Sequence, residues 1–371
     1  MLVEIVRAYG GQEGYRVRTG TLFWCGAEAD RPSNVEPQNV ITVDRALALV
    51  RCGLAGFCEE DESEVYRKMP RPPAARGGPL LDGMQGLGDN LYQRAILQSW
   101  KPPGGAWLIT SWPQLYSDLA HIHPVRPSSV RLRTQAKNAA RAPGYVLKPP
   151  GAVRRCWTYA GRPGSILEAL GASLGHQPAV LKMTGPRFPR DPRIPSRPYV
   201  LVRPATIRAE WRADARNPRP EYIAQAAAEA RRRGFLVVSV ADLQGGHEWP
   251  VLPLPPADLT FHAGELSIAA LMAMVAGAAA VIGGVGWLLP AALSYRVPMA
   301  LLYGGWGGHN GPQRIFDPRL DHSWIFEFTP DRFCQCTSSS HACDKTISDL
   351  ETRLHEFFDR LDRRQPLAVV S

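Results

Sequence analysis

Two hydrophobic periods alternate along this chain. Residues 199–203, 235–240, 279–283 and 299–303 are apolar almost throughout, the pattern of short strands covered on both faces. Helical stretches lie between them: 220–233, opened by Pro220 and closed by Gly234, then 266–276 and 288–293, with a final helix over 346–361. Strand and helix in turn predict a parallel α/β sheet. A similar set comes before it. An apolar start at residues 80–81 leads into a helix with Leu91, Ala95 and Ile96 on one face, and a strand over 106–110 follows. Residues 112–119 read as a turn into a short helix and 153–159 as a strand. Residues 165–174 read as a helix with a capping box of Ser165 and Glu168. Residues 121–144, rich in His, Arg, Lys and Ser, read as a loop over a cleft.

These patterns predict an α/β protein with two facing Rossmann-like halves and a small β-rich module in front. The module takes residues 1–70, with strands over 2–8, 15–18 and 21–24, a helix over 42–50 and an acidic surface run at 59–64. A proline-rich linker at 70–79 opens a first half spanning 71–185. A proline- and arginine-rich stretch, 186–198, separates it from a second half spanning 199–371. Two such halves would place their ligand sites at the carboxyl ends of the strands, across a cleft.

Composition narrows the partners. With 371 residues, 45% of them hydrophobic, and a net charge of +9, the chain suits an anionic partner such as a nucleotide sugar, a nucleic acid or a phospholipid surface. The apolar stretch 266–302 is broken by Gly283, Gly284, Gly286, Pro290, Arg296 and Pro298, so no membrane span is expected. Seven cysteines, an odd number, and a strand-like start in place of a signal peptide lead us to expect a reducing cytoplasm.

The candidate chemistry starts at residues 80–97, with glycines at 83, 86 and 88 followed by Asp89 and Asn90 at the expected helix N-cap. Such a turn exposes backbone N–H groups to an anion, although its spacing is not the dinucleotide fingerprint. Gly86-Leu87-Gly88-Asp89-Asn90-Leu91 resembles the Gly-x-Gly-Asp-x-Leu opening of the heptosyltransferase-like glycosyltransferases (ADP-heptose:lipopolysaccharide type). The resemblance implies the GT-B architecture, Asp89 as the base that activates the acceptor, and Gly86, Gly88 and Asn90 in the ligand cleft. Residues 283–304 resemble that family's nucleotide-sugar segment, usually Asp-Ser-Gly, two residues, His, then Ala-Ala and a strand. Here Gly284 stands for the aspartate and Leu289 or Pro290 for the histidine. What carries over is backbone contact to phosphate from Gly284, Val285 and Gly286. The resemblance covers roughly residues 80–335. Pieces of the N-terminal module resemble bacteriophage proteins, so a phage-encoded enzyme enters the expectation.

Four arginines follow the strand at 199–203. Arg203 and Arg208 are placed to contact a diphosphate, and Arg212 and Arg216 are read as surface partners of Glu210 and Asp214. Glu265 either caps the helix at 266 or holds a ribose hydroxyl. Cys334, Cys336, His341 and Cys343 fall within ten residues and read as a structural zinc site, as free thiols or as a disulfide. The expected activity is metal-independent transfer of a hexosyl, heptosyl or pentosyl group from a nucleotide sugar to a hydroxyl, with no cofactor. Arg126, Arg131, Arg133, Lys137 and Arg141, with Trp107, Trp112 and Trp157, bring DNA into view as acceptor, beside a glycan or a virion protein. The rival expectation is a catalytically inactive module that keeps only the fold.

Overall fold

The computed structural model describes residues 78–142, 145, 154–243 and 245–364, with residues 39–41 and five short strands before them. Among the latter, β1 (Leu2–Ile5) pairs antiparallel with β4 (Leu22–Trp24) and β5 (Ala55–Cys58), and β2 (Tyr9–Gly10) pairs with β3 (Arg16–Val17). The helix expected over 42–50, the acidic run at 59–64 and most of the 70–79 linker lie outside the described residues.

The first half is a four-stranded parallel sheet in the order β8-β7-β6-β9, made of β6 (Leu80–Asp82), β7 (Ala106–Ile109), β8 (Ile122–Val125) and β9 (Arg154–Cys156). Its helices are α1 (Leu87–Ser99), α2 (Arg133–Arg141) and α3 (Ile166–Leu174), the last with the expected Ser165–Glu168 capping box. Where a loop was expected over 121–144, Ile122–Val125 form a strand and Arg133–Arg141 a helix. The N-terminal position before α2 is Leu132, which has no capping group. Gln135 reaches back instead, its Oε1 accepting the N–H groups of Arg131 and Leu132 at 3.3 and 3.2 Å. That cap does not show in a search for Ser, Thr, Asp or Asn.

In the second half, β10 (Tyr199–Val202), β12 (Leu236–Val240), β14 (Leu259–Phe261), β15 (Ala280–Gly284), β16 (Met299–Leu302) and β17 (Ile325–Phe328) form one parallel sheet. Its order, β14-β12-β10-β15-β16-β17, reverses direction between β10 and β15, the Rossmann switch point. The edge strands β14 and β17 carry Thr260 and Glu327 among short apolar residues and escape an apolar-run search. A ribbon of β11 (Thr206–Arg208) and β13 (Glu248–Pro250) rises beside β10. Helices α4 (Pro220–Arg232), α5 (Ile268–Ala276), α6 (Leu288–Tyr295) and α9 (Leu350–Arg364) flank the sheet, with the short α7 (Gly307–Asn310) and α8 (Pro312–Ile315) after β16.

One apolar core joins the halves. Leu91 and Ile96 of α1 belong to it together with Leu289 and Leu293 of α6 and Met272 of α5. Every residue from Asn90 to Leu97 is buried, because α6 covers the face of α1 that its own sheet leaves open. A second core on the other face of the six-stranded sheet packs Ala226 and Ala230 of α4 against Leu354 and Phe358 of α9. Among the described residues, no helix is long and apolar enough to cross a membrane.

Candidate active site

The carboxyl ends of both sheets open on one cleft of about 1390 Å³. Gly86, Gly88 and Asp89 line it from the first half, and Arg203, Arg208, Arg216, Gly284, Val285 and Gly286 line it from the second. The two glycine-bearing turns thus face each other.

The helix begins one turn earlier than expected: Gly86 is the N-cap of α1, which puts Asp89 in the first turn and Asn90 behind it. Asp89 is half-buried, and its Oδ1 accepts the Tyr159 hydroxyl proton at 2.7 Å. Burial holds its carboxyl above the ordinary value. The Tyr159 hydrogen bond, the Arg216 charge and the Gly86 backbone pull the other way and only partly offset burial. Asn90, expected to touch ligand, is fully buried and occupied within the protein. Its Nδ2 donates to the carbonyls of Met84 and Gly86 at 2.7 and 2.8 Å, and its Oδ1 accepts from Thr110 and Tyr116 at 2.7 and 2.9 Å. It shapes the turn and does not line the cleft.

Across the cleft, Glu248 of β13 is buried and accepts from Arg203 at 3.1 Å and from Arg208 at 2.8 Å. One carboxylate thus holds two guanidinium groups at the switch point and leaves them a net positive charge. Arg212 pairs with Asp214 at 2.8 Å, as expected. Arg216 does not follow that expectation. It lines the cleft, its charge acts on Asp89, and its buried Nε has no hydrogen-bond partner. Spacing could not reveal this, because the 3-10 turn Asp214–Arg216 sets the direction of the side chain.

Glu265 is exposed on the cleft rim and accepts the Ala263 N–H at 2.9 Å, while Ser267 caps α5 through the Ala270 N–H at 3.1 Å. The capping role expected of Glu265 belongs to Ser267. At Gly284 a Cβ would stand 2.8 Å from Pro218 Cδ, so the proline occupies the space a side chain would need there. Leu289 and Pro290 are buried and bring no polar side chain to the turn. Asp118 and His121, acid–base side chains of the same half, lie away from the cleft. Asp118 is tied to the buried Arg94 at 2.6 and 2.7 Å, and His121 Nε2 sits 2.8 Å from the Leu97 carbonyl. Trp112 and Trp157 line the cleft but are buried, with their indole N–H groups bonded to the carbonyls of Gln85 and Leu170. Trp107 packs on His123. Among the described residues, the most exposed aromatic lining the cleft is Trp211, which apolar patterning did not single out.

Cys334, Cys336, His341 and Cys343 converge, with one ligand atom of each within 4.8 Å of the others. Cys336 Sγ lies 3.5 Å from Cys343 Sγ, and His341 Nδ1 lies 3.3 Å from Cys343 Sγ and 3.6 Å from Cys334 Sγ. Tetrahedral bonds of about 2.3 Å to sulfur space neighbouring ligands by about 3.7 Å, so the set fits a metal ion closely. All three cysteines are free, which departs from the disulfide alternative. The cluster abuts the Arg216 turn: the Ala215 N–H donates to the Ser339 carbonyl at 2.8 Å, and Lys345 Nζ donates to the Asp214 carbonyl at 2.8 Å.

No protein-family profile and no curated protein matches the chain. Solved structures do. The iron-containing dodecameric glycosyltransferase TibC from enterotoxigenic E. coli H10407 is similar with a TM-score of 0.51 at 17% identity, over 78% of this chain and 77% of that one. Heptosyltransferase TibC in complex with ADP-D-β-D-heptose gives 0.49 at 18% identity over 77% and 78%. The family 9 glycosyl transferase from Veillonella parvula DSM 2008 gives 0.47 at 12% over 78% and 98%. The two parallel sheets facing one cleft share the GT-B-like fold of the glycosyltransferase TibC structure.

Proposed function

We propose that the chain is a glycosyltransferase that moves a sugar from a nucleotide-sugar donor to an acceptor hydroxyl. The observation that carries this reading is the opposition of Asp89, on the first half, to Arg203, Arg208 and Arg216 at the switch point of the second. The acceptor O–H gives its proton to the Asp89 carboxylate as its oxygen bonds to the anomeric carbon. The bond from that carbon to the diphosphate oxygen breaks, and the leaving diphosphate takes the electron pair. Arginine forks match diphosphate oxygens, and backbone N–H groups at Gly284, Val285 and Gly286 add dipoles at the start of α6. These fixed charges supply what a leaving diphosphate needs, so we read the transfer as metal-independent. Glu265, on the rim, is assigned to a ribose hydroxyl, and Gly86 and Gly88 to the acceptor side. The Cys3His set is assigned to a structural zinc ion. The similar TibC is iron-containing, so both metals belong in the assay. The four cysteines that the structure describes are not in disulfides, which suits the cytoplasm.

A second reading, binding without turnover, draws on Gly284, Leu289 and Pro290, which leave the donor turn without a polar side chain. Screening nucleotide sugars by thermal shift and then assaying transfer separates the two. The acceptors in that assay are a hydroxylated DNA base, a glycan and a phage virion protein. A donor that stabilises the protein and is turned over supports transfer. A donor that binds without turnover on any acceptor supports the second reading.

A further inference from the structure

Tyr159 and Arg314 link the two halves through the candidate base. Tyr159 follows β9 in the first half and donates its hydroxyl hydrogen to Asp89 Oδ1 at 2.7 Å. Arg314 belongs to α8 of the second half. Its Nη2 donates to the Tyr159 carbonyl at 2.8 Å, its Nη1 donates to the Arg162 carbonyl at 2.9 Å and to the Gly164 carbonyl, and its guanidinium lies 5.4 Å from the centre of the Tyr159 ring. The segment beyond α8 adds a second tie: buried Asp317 accepts the Ser165 hydroxyl at 2.6 Å, and Arg319 holds that carboxylate in a two-point fork.

We infer that Tyr159 is a positioning residue for the Asp89 carboxylate, and that Arg314 makes this positioning depend on the docking of the second half against the first. The inference rests on the glycosyltransferase reading only for its kinetic consequence. The three carbonyls are held from two separate nitrogens of one planar fork, a spacing that the single ammonium of a lysine does not reproduce. When Arg314 is in place, the loop 159–164 is fixed and the phenol is aimed at Asp89. When the halves separate, the fork leaves and the carboxylate loses its orienting donor. The aligned base is thus a property of the assembled cleft and not of the first half alone.

The charged and titratable groups facing Asp89 are Tyr92, Tyr116, Tyr159 and Arg216. Of these, Tyr159 donates the side-chain hydrogen bond. Removing that bond destabilises the charged carboxylate, so the Asp89 titration moves to higher pH. A misplaced side chain that kept the bond would leave the titration where it is.

The experiment titrates Asp89 directly by carbon NMR on full-length protein labelled at aspartate Cγ, with Asp89→Asn supplying the assignment. The variants are Tyr159→Phe, which keeps the ring under Arg314, and Arg314→Lys, which keeps the charge. Both are checked for wild-type circular dichroism. The expected result is a higher Asp89 midpoint in both. With an active donor and acceptor, kcat should also fall roughly tenfold in Tyr159→Phe, the scale of one hydrogen bond to a charged group, while donor KM holds. An unchanged midpoint in Tyr159→Phe overturns the positioning role. A shift in Tyr159→Phe but not in Arg314→Lys overturns the dependence on docking. The NMR reading needs no turnover. If Asp89→Asn kept wild-type transfer, the base assignment would fail while the titration still judged the hydrogen-bond link.

Discussion

Gly88 of α1 lies against Trp287 at the start of α6, so close that a Cβ on Gly88 would come within 3.0 Å of the tryptophan Cα. The helix that opens the acceptor side and the turn that opens the donor side therefore touch through backbone. The glycine is needed for contact between the halves as well as for any ligand.

A larger side chain there should act as a wedge. Gly88→Val is expected to cost ~1–3 kcal/mol, the range for overpacking a filled interface. It should also weaken donor binding by parting the two turns. Urea unfolding and donor titration measure the two effects. A fully stable variant with normal affinity would show that the halves have slack at this point.

Asp89→Asn keeps the shape of the side chain and removes the proton acceptor. We expect donor affinity near wild type and a loss of roughly 10² or more in transfer rate, the scale of general-base catalysis. Transfer at the wild-type rate would remove Asp89 from the mechanism.

The same substitution has a signature in stability. Burial raises the Asp89 carboxyl above its ordinary value of 3.8, so the native state holds the proton more tightly than the unfolded chain does. The resulting stabilisation is complete below pH 3.8 and is lost as the pH rises through the native value. Asn has no such proton. The stability of Asp89→Asn relative to wild type should therefore increase from acid to neutral pH, as paired denaturation curves would show. A difference independent of pH would mean that the carboxyl is not shifted.

Arg216 and Arg203 should differ. Arg216 lines the cleft and its buried Nε has no hydrogen-bond partner, so Arg216→Ala should weaken donor binding by roughly 10- to 100-fold, the value of a charge-assisted hydrogen bond, with little loss of stability. Arg203→Ala also takes one of two partners from the buried Glu248, so about 1–3 kcal/mol of stability should go with the affinity. Calorimetric titration with donor, beside thermal unfolding, separates the cases. Equal destabilisation by both variants would contradict the assignment of Arg216 to ligand.

The Cys3His set predicts about one equivalent of zinc in purified protein, lost in Cys336→Ser. Because Ser339 holds Ala215 beside Arg216, metal loss should also raise the donor Kd. Elemental analysis and donor titration on the same sample test both. Metal-free protein with normal stability and affinity would leave four free side chains with no structural task.

The sequence by itself determined the layout. Apolar runs with capped helices between them are local, so Pro220 and Gly234 bracket α4 at nearly the expected places, and Ser165 caps α3 as read. It also brought Asp89 and the 284–286 turn to notice, because glycines leave a local mark. Tertiary structure decided what the pattern left open. Residues 133–141 are a helix because Gln135 supplies a cap from inside it, and Asn90 is sealed by Thr110 and Tyr116, distant in sequence. Glu248 pairs Arg203 with Arg208 only because β13 lies beside β11. Arg216 faces the cleft only once two sheets far apart in the chain are packed through α1 and α6, and Tyr159 meets Asp89 because β9 lies beside β6 in the first sheet. Local periodicity records which face of an element is apolar. It does not record which element of the other half will cover that face, and that packing aims the polar side chains of this cleft.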